Sequence, residues 1–431
     1  MTRILRGRLL SFKDSPRRVG AAAFRYLEDG ALRIRAGQIV EVGEARDVLA
    51  RAPAEAVIDD HRGRLILPGF IDAHIHYPQT RVIGSYGEQL LEWLQKYTFV
   101  EEQKFADSAH AAAVARFFLD ELARQGTTTA MVYCTVRPES AEAFFAEAER
   151  RSVRMIAGKV MMDRNAPPAL TDDPQRGYDE SKALLSKWHG RGRLGYAVSP
   201  RFAITSSPAQ LEAAGALARE FPDAHVQTHL SENAAEITLT KSLFPEARDY
   251  LDVYERVGLL GPKSVFGHCI HLEPREIASL ARNRGVAAFC PTSNLFLGSG
   301  LFDEAGLDAA GVRVALATDV GAGTSYSMLQ TANEAYKALQ LRGQSWAALQ
   351  AFYQLTQGNA RALSLEDRIG ALEPGREADL VVLDSRATPA MAHRMESVDG
   401  DLTEELFVLM TMGDDRAVAQ TYIAGERAKT A

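Results

Sequence analysis

The stretch 65-LILPGFIDAHIH-76 decides how this chain is read. Leu65, Ile66, Leu67, Phe70 and Ile71 form the near-continuous apolar run of a strand buried on both faces, and the run ends in His74-Ile75-His76. Residues two apart on a strand point to the same side, so both imidazoles can reach one metal ion. At the mouth of a parallel barrel, strand ends are where catalytic groups stand. The reading is therefore a metal enzyme. His-x-His also arises by chance, so the weight falls on what accompanies it.

Outward from this run, residues 67–365 alternate short apolar strands with longer helical patterns such as 109–125 and 209–220. That is the βαβ signature. Eight strands end near His76, Ala130, Met162, Arg201, His229, His268, Cys290 and Asp319. The count predicts an α/β fold, a (β/α)8 TIM barrel of roughly 250 residues plus insertions. Residues 1–66 read instead as short strands at 32–35, 38–42 and 57–59, with turns at Gly30, Gly37 and Gly43. Strand character returns in 366–431, at 378–383 and 418–423. Neither terminal piece could bury a core alone. Residues 1–66 and 366–431 are therefore expected to combine into one small β-sandwich domain beside the barrel of 67–365.

Composition narrows the function classes. A chain of 431 residues suits a barrel with an attached smaller domain. Hydrophobic residues at 46% and charged residues at 24% are those of an ordinary globular protein. The net charge of −7 and pI near 5.9 offer no basic field for nucleic acid or an anionic membrane. No apolar stretch approaches the ~20 residues of a bilayer span, and Arg3, Arg6, Arg8 and Lys13 interrupt any apolar leader core. Cys134, Cys269 and Cys290 lie far apart, which fits a reducing cytoplasm and neither a disulfide framework nor a Cys-x-x-Cys site.

The strand ends carry the chemistry. A histidine or aspartate closes the first, fifth, sixth and eighth strands: His76, His229, His268 and Asp319. Barrel closure sets the first strand beside the eighth, bringing Asp319 near His74 and His76. Three histidines and one aspartate with room for water suit a catalytic Zn²⁺, and Fe²⁺ or Mn²⁺ would also be accepted. Lys159, on the third strand, reads as a buried lysine paired with an acidic neighbour.

Residues 68–76, Thr228-His229-Leu230-Ser231-Glu232-Asn233 and Thr318-Asp319 resemble the amidohydrolase superfamily. More specific runs are similar to its guanine deaminase family: Tyr77-Pro78-Gln79, LLEWL at 90–94, Lys96-Tyr97-Thr98-Phe99, GKVMMDRN at 158–165, Pro200-Arg201-Phe202-Ala203, CPTSN at 290–294 and TDVGAGTSYSML at 318–329. The resemblance spans nearly the whole chain. It implies hydrolysis of the C2 amino group of guanine to give xanthine and ammonia in purine catabolism. It further implies one Zn²⁺ per subunit on His74, His76, His229 and Asp319. Two-metal relatives carry a bridging carboxylated lysine on the fourth strand, where this chain has Ser199-Pro200-Arg201, so a single metal is expected.

In this reading Asp319 also accepts the proton of the attacking water. Glu232 protonates the ring nitrogen beside C2 and later the leaving amine, and His268 orients the water or stabilises the tetrahedral intermediate. Substrate recognition falls to Gln79, Arg201, Phe202 and Trp93: a donor fork for O6, an amide along the Watson–Crick edge and apolar walls. The excursion 83–101 reads either as a pocket roof reaching a second subunit or as an amphipathic helix packed on the barrel. A cytoplasmic homodimer follows from the resemblance alone. Alternative readings are a related aminohydrolase for a triazine, pterin or modified adenosine, and a scaffold that has lost catalysis. The presence of all four ligands and Glu232 speaks against the scaffold. The unrelated zinc deaminase fold is excluded, because no Pro-Cys-x-x-Cys occurs.

Overall fold

Eight parallel strands follow one another around a barrel in the computed structural model, which describes residues 2–87 and 89–429. They are, in order, Phe70–His76, Thr127–Tyr133, Arg154–Gly158 (continued by Val160–Met161), Gly195–Pro200, His225–Leu230, Ser264–His268, Val286–Phe289 and Arg313–Leu316. The first two are buried along their whole length, which is why their sequences run apolar rather than alternate. The second strand continues to Tyr133, past the expected end at Ala130. The eighth stops at Leu316, so Thr318-Asp319 stand just beyond regular pairing. At Asp319, three residues beyond the strand, the backbone enters the left-handed region, φ +53°, and turns away from the strand direction.

Closure between the first and eighth strands is a sewn seam. The Asp319 N–H donates to the His74 carbonyl at 2.9 Å, and the His76 N–H donates to the Val320 carbonyl at 2.8 Å. The buried Asp72 carboxylate accepts the Thr318 N–H (3.1 Å), the Thr318 hydroxyl (2.5 Å) and the His74 N–H (3.2 Å). Below it Asn359, from the helix Asn359–Ala362, donates to the carbonyls of Ile71 (2.6 Å) and Leu316 (2.7 Å) and accepts the Leu316 N–H (2.9 Å).

The helices expected at 109–125 and 209–220 are Ser108–Arg124 and Pro208–Glu220. Each starts at a capping side chain: Asp107 accepts from the Ala109 N–H, and Ser207 from the Gln210 N–H with Pro208 following.

The terminal segments do join into one β domain. Its mixed sheet runs, in spatial order, Glu426–Arg427, Val418–Ile423, Leu380–Leu383, Val57–Pro68, Thr2–Phe12, Phe24–Arg35 and Gln38–Glu44. Its far edge curls back: the Ile39 N–H donates to the Arg376 carbonyl and the Ala378 N–H to that of Gly37. The curled sheet encloses Leu5, Leu32, Ile34, Ile66, Leu380 and Val382, so the expected sandwich is a single sheet folded on itself. Thr2–Phe12 went unread because arginines interrupt its apolar residues. Those arginines turn outward to partners, Arg3 to Asp59, Arg6 to Asp29 and Arg8 to Glu405. The tail also holds two unexpected helices, Pro389–Met395 and Leu402–Met412, the second packed on the barrel helix Met328–Leu341.

Gly69 joins the two units. A Cβ there would lie 2.2 Å from the Thr128 hydroxyl oxygen, so only glycine lets the terminal sheet pass directly into the first barrel strand.

Removing the Asn359 amide would strand three buried backbone groups across the seam. Buried polar groups without partners cost ~1–3 kcal/mol each, so Asn359→Ala is expected to lose about 3 kcal/mol or more, read as a lower denaturation midpoint. An unchanged midpoint would show that the seam closes without it.

Candidate active site

The two histidines at the end of the first strand bring their Nε2 atoms to 3.3 Å from each other. His229 Nε2, from the fifth strand, lies 3.2 Å from His76 Nε2. Asp319 Oδ1 lies 3.4 Å from His74 Nε2 and 3.3 Å from His76 Nε2. Ligand atoms ~2.0–2.1 Å from a tetrahedral Zn²⁺ sit about 3.3–3.4 Å from one another, so these spacings are those of a ligand cage. His229 Nδ1 is 2.7 Å from the Arg201 carbonyl, which fixes the proton on Nδ1 and leaves a lone pair on Nε2. A cation at the centre would satisfy the converging nitrogens and the carboxylate together.

Electrostatics hold His76, His229 and Asp319 in their ligating forms. Burial pushes the His76 imidazole down to about 3, against the pull of Asp319. His229 lies well below the usual histidine range, through burial and its neighbouring histidines. Burial alone would raise Asp319, but hydrogen bonding to His74 and His76 holds its carboxyl well below the usual range. The result is that His76 and His229 are held as neutral imidazoles beside a carboxylate.

His268, at the end of the sixth strand, faces the same centre with a backbone φ of +72°. His74, His229, His268 and Asp319 each bring one ligand-capable atom within 4.8 Å of the others, so five residues converge in all once His76 is counted. His268 differs from the rest. Its Nδ1 lies 2.9 Å from Asn294 Oδ1, and its Nε2 lies 3.3 Å from Glu232 Oε2 and 3.8 Å from Asp319 Oδ2.

Glu232 is buried, and its Oε1 accepts the Ser299 hydroxyl at 3.0 Å. Burial pushes its carboxyl up to about 8, with the Asp319 charge adding to the rise and the Ser299 hydrogen bond opposing it. A cation among the histidines would draw that value down. Its backbone is equally fixed, because Glu236 accepts the Glu232 N–H (2.8 Å) within the capping box that opens the helix Ala234–Leu243.

Above the centre is a small, partly enclosed cavity. Gln79, Trp93, Arg201, Phe202, Glu232 and His268 line it together with His76, His229 and Asp319, and His74 lies beneath, fully buried. Every site residue expected from sequence is thus gathered in one place. The excursion supplies Leu90, Trp93 and Leu94 to the cavity wall. Among the described residues the Trp93 indole nitrogen is buried without an acceptor. Lys159 lies elsewhere, paired with Asp172 at 2.6 Å as expected.

Sequence reading missed Glu102, Asn294 as a partner of His268, and Ser299. Glu102 lies in the helix Phe99–Glu102 and accepts Arg201 Nη1 on both carboxylate oxygens at 2.9 Å, while Gln79 Nε2 donates to it at 3.1 Å. Nothing local marks these residues, because each acts across a long stretch of chain; Asn294 alone fell within a quoted motif.

Comparison with known proteins agrees with this geometry. Residues 65–428 match the Amidohydrolase family. The guanine deaminase of Escherichia coli (strain K12) is 49% identical over 412 residues, 96% of this chain and 93% of that protein. The solved structure of E. coli guanine deaminase aligns with a TM-score of 0.96 at 48% identity over 99% of both chains. The structure of guanine deaminase from C. acetobutylicum, with guanine bound in its active site, aligns with a TM-score of 0.89 at 28% identity, covering 99% of this chain and 100% of that one. The chain belongs to the amidohydrolase family, among its guanine deaminases.

Proposed function

We propose that this protein hydrolyses guanine to xanthine and ammonia, using one Zn²⁺ per subunit held by His74, His76, His229 and Asp319. One observation carries the reading: a single cavity sets a metal-ready cage and the raised carboxyl of Glu232 opposite the donors Arg201 and Gln79. When bound, Zn²⁺ supplies a Lewis acid that acidifies water at the cavity floor.

The chain's own groups then divide the work. Arg201, whose Nη1 is taken by Glu102, turns its remaining N–H groups to the O6 carbonyl. Gln79 reads the Watson–Crick edge, and Phe202 and Trp93 flank the purine, with the unpaired indole N–H of Trp93 offering one further donor. Asp319 takes the proton of the water that adds to C2. Glu232, protonated at the start, gives its proton to the ring nitrogen beside C2 and then serves the departing amine. His268, held by Asn294, keeps its Nε2 toward both carboxyl groups and supports the oxygen that adds to C2. Guanine and water enter; xanthine and ammonia leave. A cytoplasmic role in purine catabolism belongs to the same proposal, supported by three cysteines that are all free and buried.

The direct test is purified protein incubated with guanine, with xanthine, ammonia and bound metal measured on one sample. Conversion with about one zinc per chain is the expected result; metal-loaded protein that leaves guanine intact would overturn the proposal.

The ligand assignment is tested by metal content. His76→Ala should purify with little metal, whereas His268→Ala should retain it and lose turnover. Equal loss in both would put His268 among the ligands.

Glu232→Gln should keep metal and lose about 10²–10⁴-fold in kcat; full activity would remove it as the proton carrier. The Ser299 hydrogen bond favours the charged form of Glu232, so Ser299→Ala should raise the Glu232 pKa further. Glu232 must start protonated, so the alkaline limb of kcat/KM should move to higher pH. A downward shift would contradict the acid role.

A further inference from the structure

We propose that Glu102 is the residue that sets substrate specificity from behind the cavity, by holding Arg201 and Gln79 in the pose that reads the O6 side of the purine. This rests on the guanine reading above. Glu102 does not line the cavity, yet both polar readers converge on it. Arg201 Nη1 reaches both of its oxygens at 2.9 Å, and Gln79 Nε2 reaches Oε1 at 3.1 Å. Arg201 and Glu102 are 3% and 1% exposed, so neither charge is offset by water. Among the described residues, Glu102 is the only acidic partner within ion-pair reach of Arg201.

The carboxylate does two things at once. It accepts only, so the Gln79 amide must present Nε2 to it. The Gly321 N–H, 3.2 Å from Gln79 Oε1, confirms that orientation from the other side. The amide is therefore locked against a flip, and a remaining N–H and a remaining lone pair face the ligand in a defined order. The carboxylate also compensates the guanidinium. A neutral purine carbonyl then meets an aimed donor whose charge is already balanced, rather than a bare buried cation that would favour anions. Phe99, three residues before Glu102, stacks under the same guanidinium at 5.5 Å, so one helix of the excursion supplies both restraints.

Glu102 is thus a positioning residue, and its signature is selectivity rather than overall rate. The experiment compares guanine with 2-aminopurine, which keeps the C2 amine and lacks O6, in wild type and Glu102→Gln. For Glu102→Gln the guanine KM should rise by at least about tenfold. The inhibition constant of 2-aminopurine against guanine should change less than about threefold, and metal content should hold. An unchanged guanine KM, or equal weakening of both ligands, would overturn the proposal. Glu102→Asp keeps the buried charge but is one methylene too short for both partners. It should show the same split, and it decides the matter if Glu102→Gln does not fold. Wild-type protein that does not turn over guanine would instead count against the guanine reading itself.

Discussion

Everything at the active site depends on the closure of the barrel between its first and last strands. The cage needs His74 and His76 from one strand and Asp319 from the other, although 246 residues separate Asp72 from its partner Thr318. Backbone hydrogen bonds alone would hold the strands. Here the ligand residues themselves make those bonds, the Asp319 N–H to the His74 carbonyl and the His76 N–H to that of Val320. Asp72 and Asn359 then clamp the same seam with side chains. Closing the sheet and spacing the ligands are one event.

That arrangement explains why the site tolerates unusual backbone. His268 and Asp319 both occupy the left-handed region, where a non-glycine residue carries strain. Strain of this kind survives only where surrounding bonds over-determine the conformation. The seam does so for Asp319, and the Asn294 contact does so for the His268 ring.

Much of this was legible in the sequence, for a physical reason. Ligands at strand ends leave a local mark, a polar residue closing an apolar run, and His74, His76, His229, His268 and Asp319 all carry it. The barrel strands were readable because burial on both faces makes them continuous. Glu102, Ser299 and Asn359 left no such mark, since each acts by a contact distant in the chain and looks like any surface polar residue. The strand Thr2–Phe12 was hidden by its arginines, whose partners Asp59, Asp29 and Glu405 only the folded chain supplies. The tail helices likewise take their place from the barrel surface they cover.

The tautomer of His229 is set by the Arg201 carbonyl, while the Arg201 side chain faces the cavity. A carbonyl is common to all twenty amino acids. Selection can therefore exchange the side chain at position 201, and with it the ring that is accepted, without withdrawing the group that orients a ligand. Chemistry and taste are written on opposite sides of the same residue, and the fold can revise one while keeping the other.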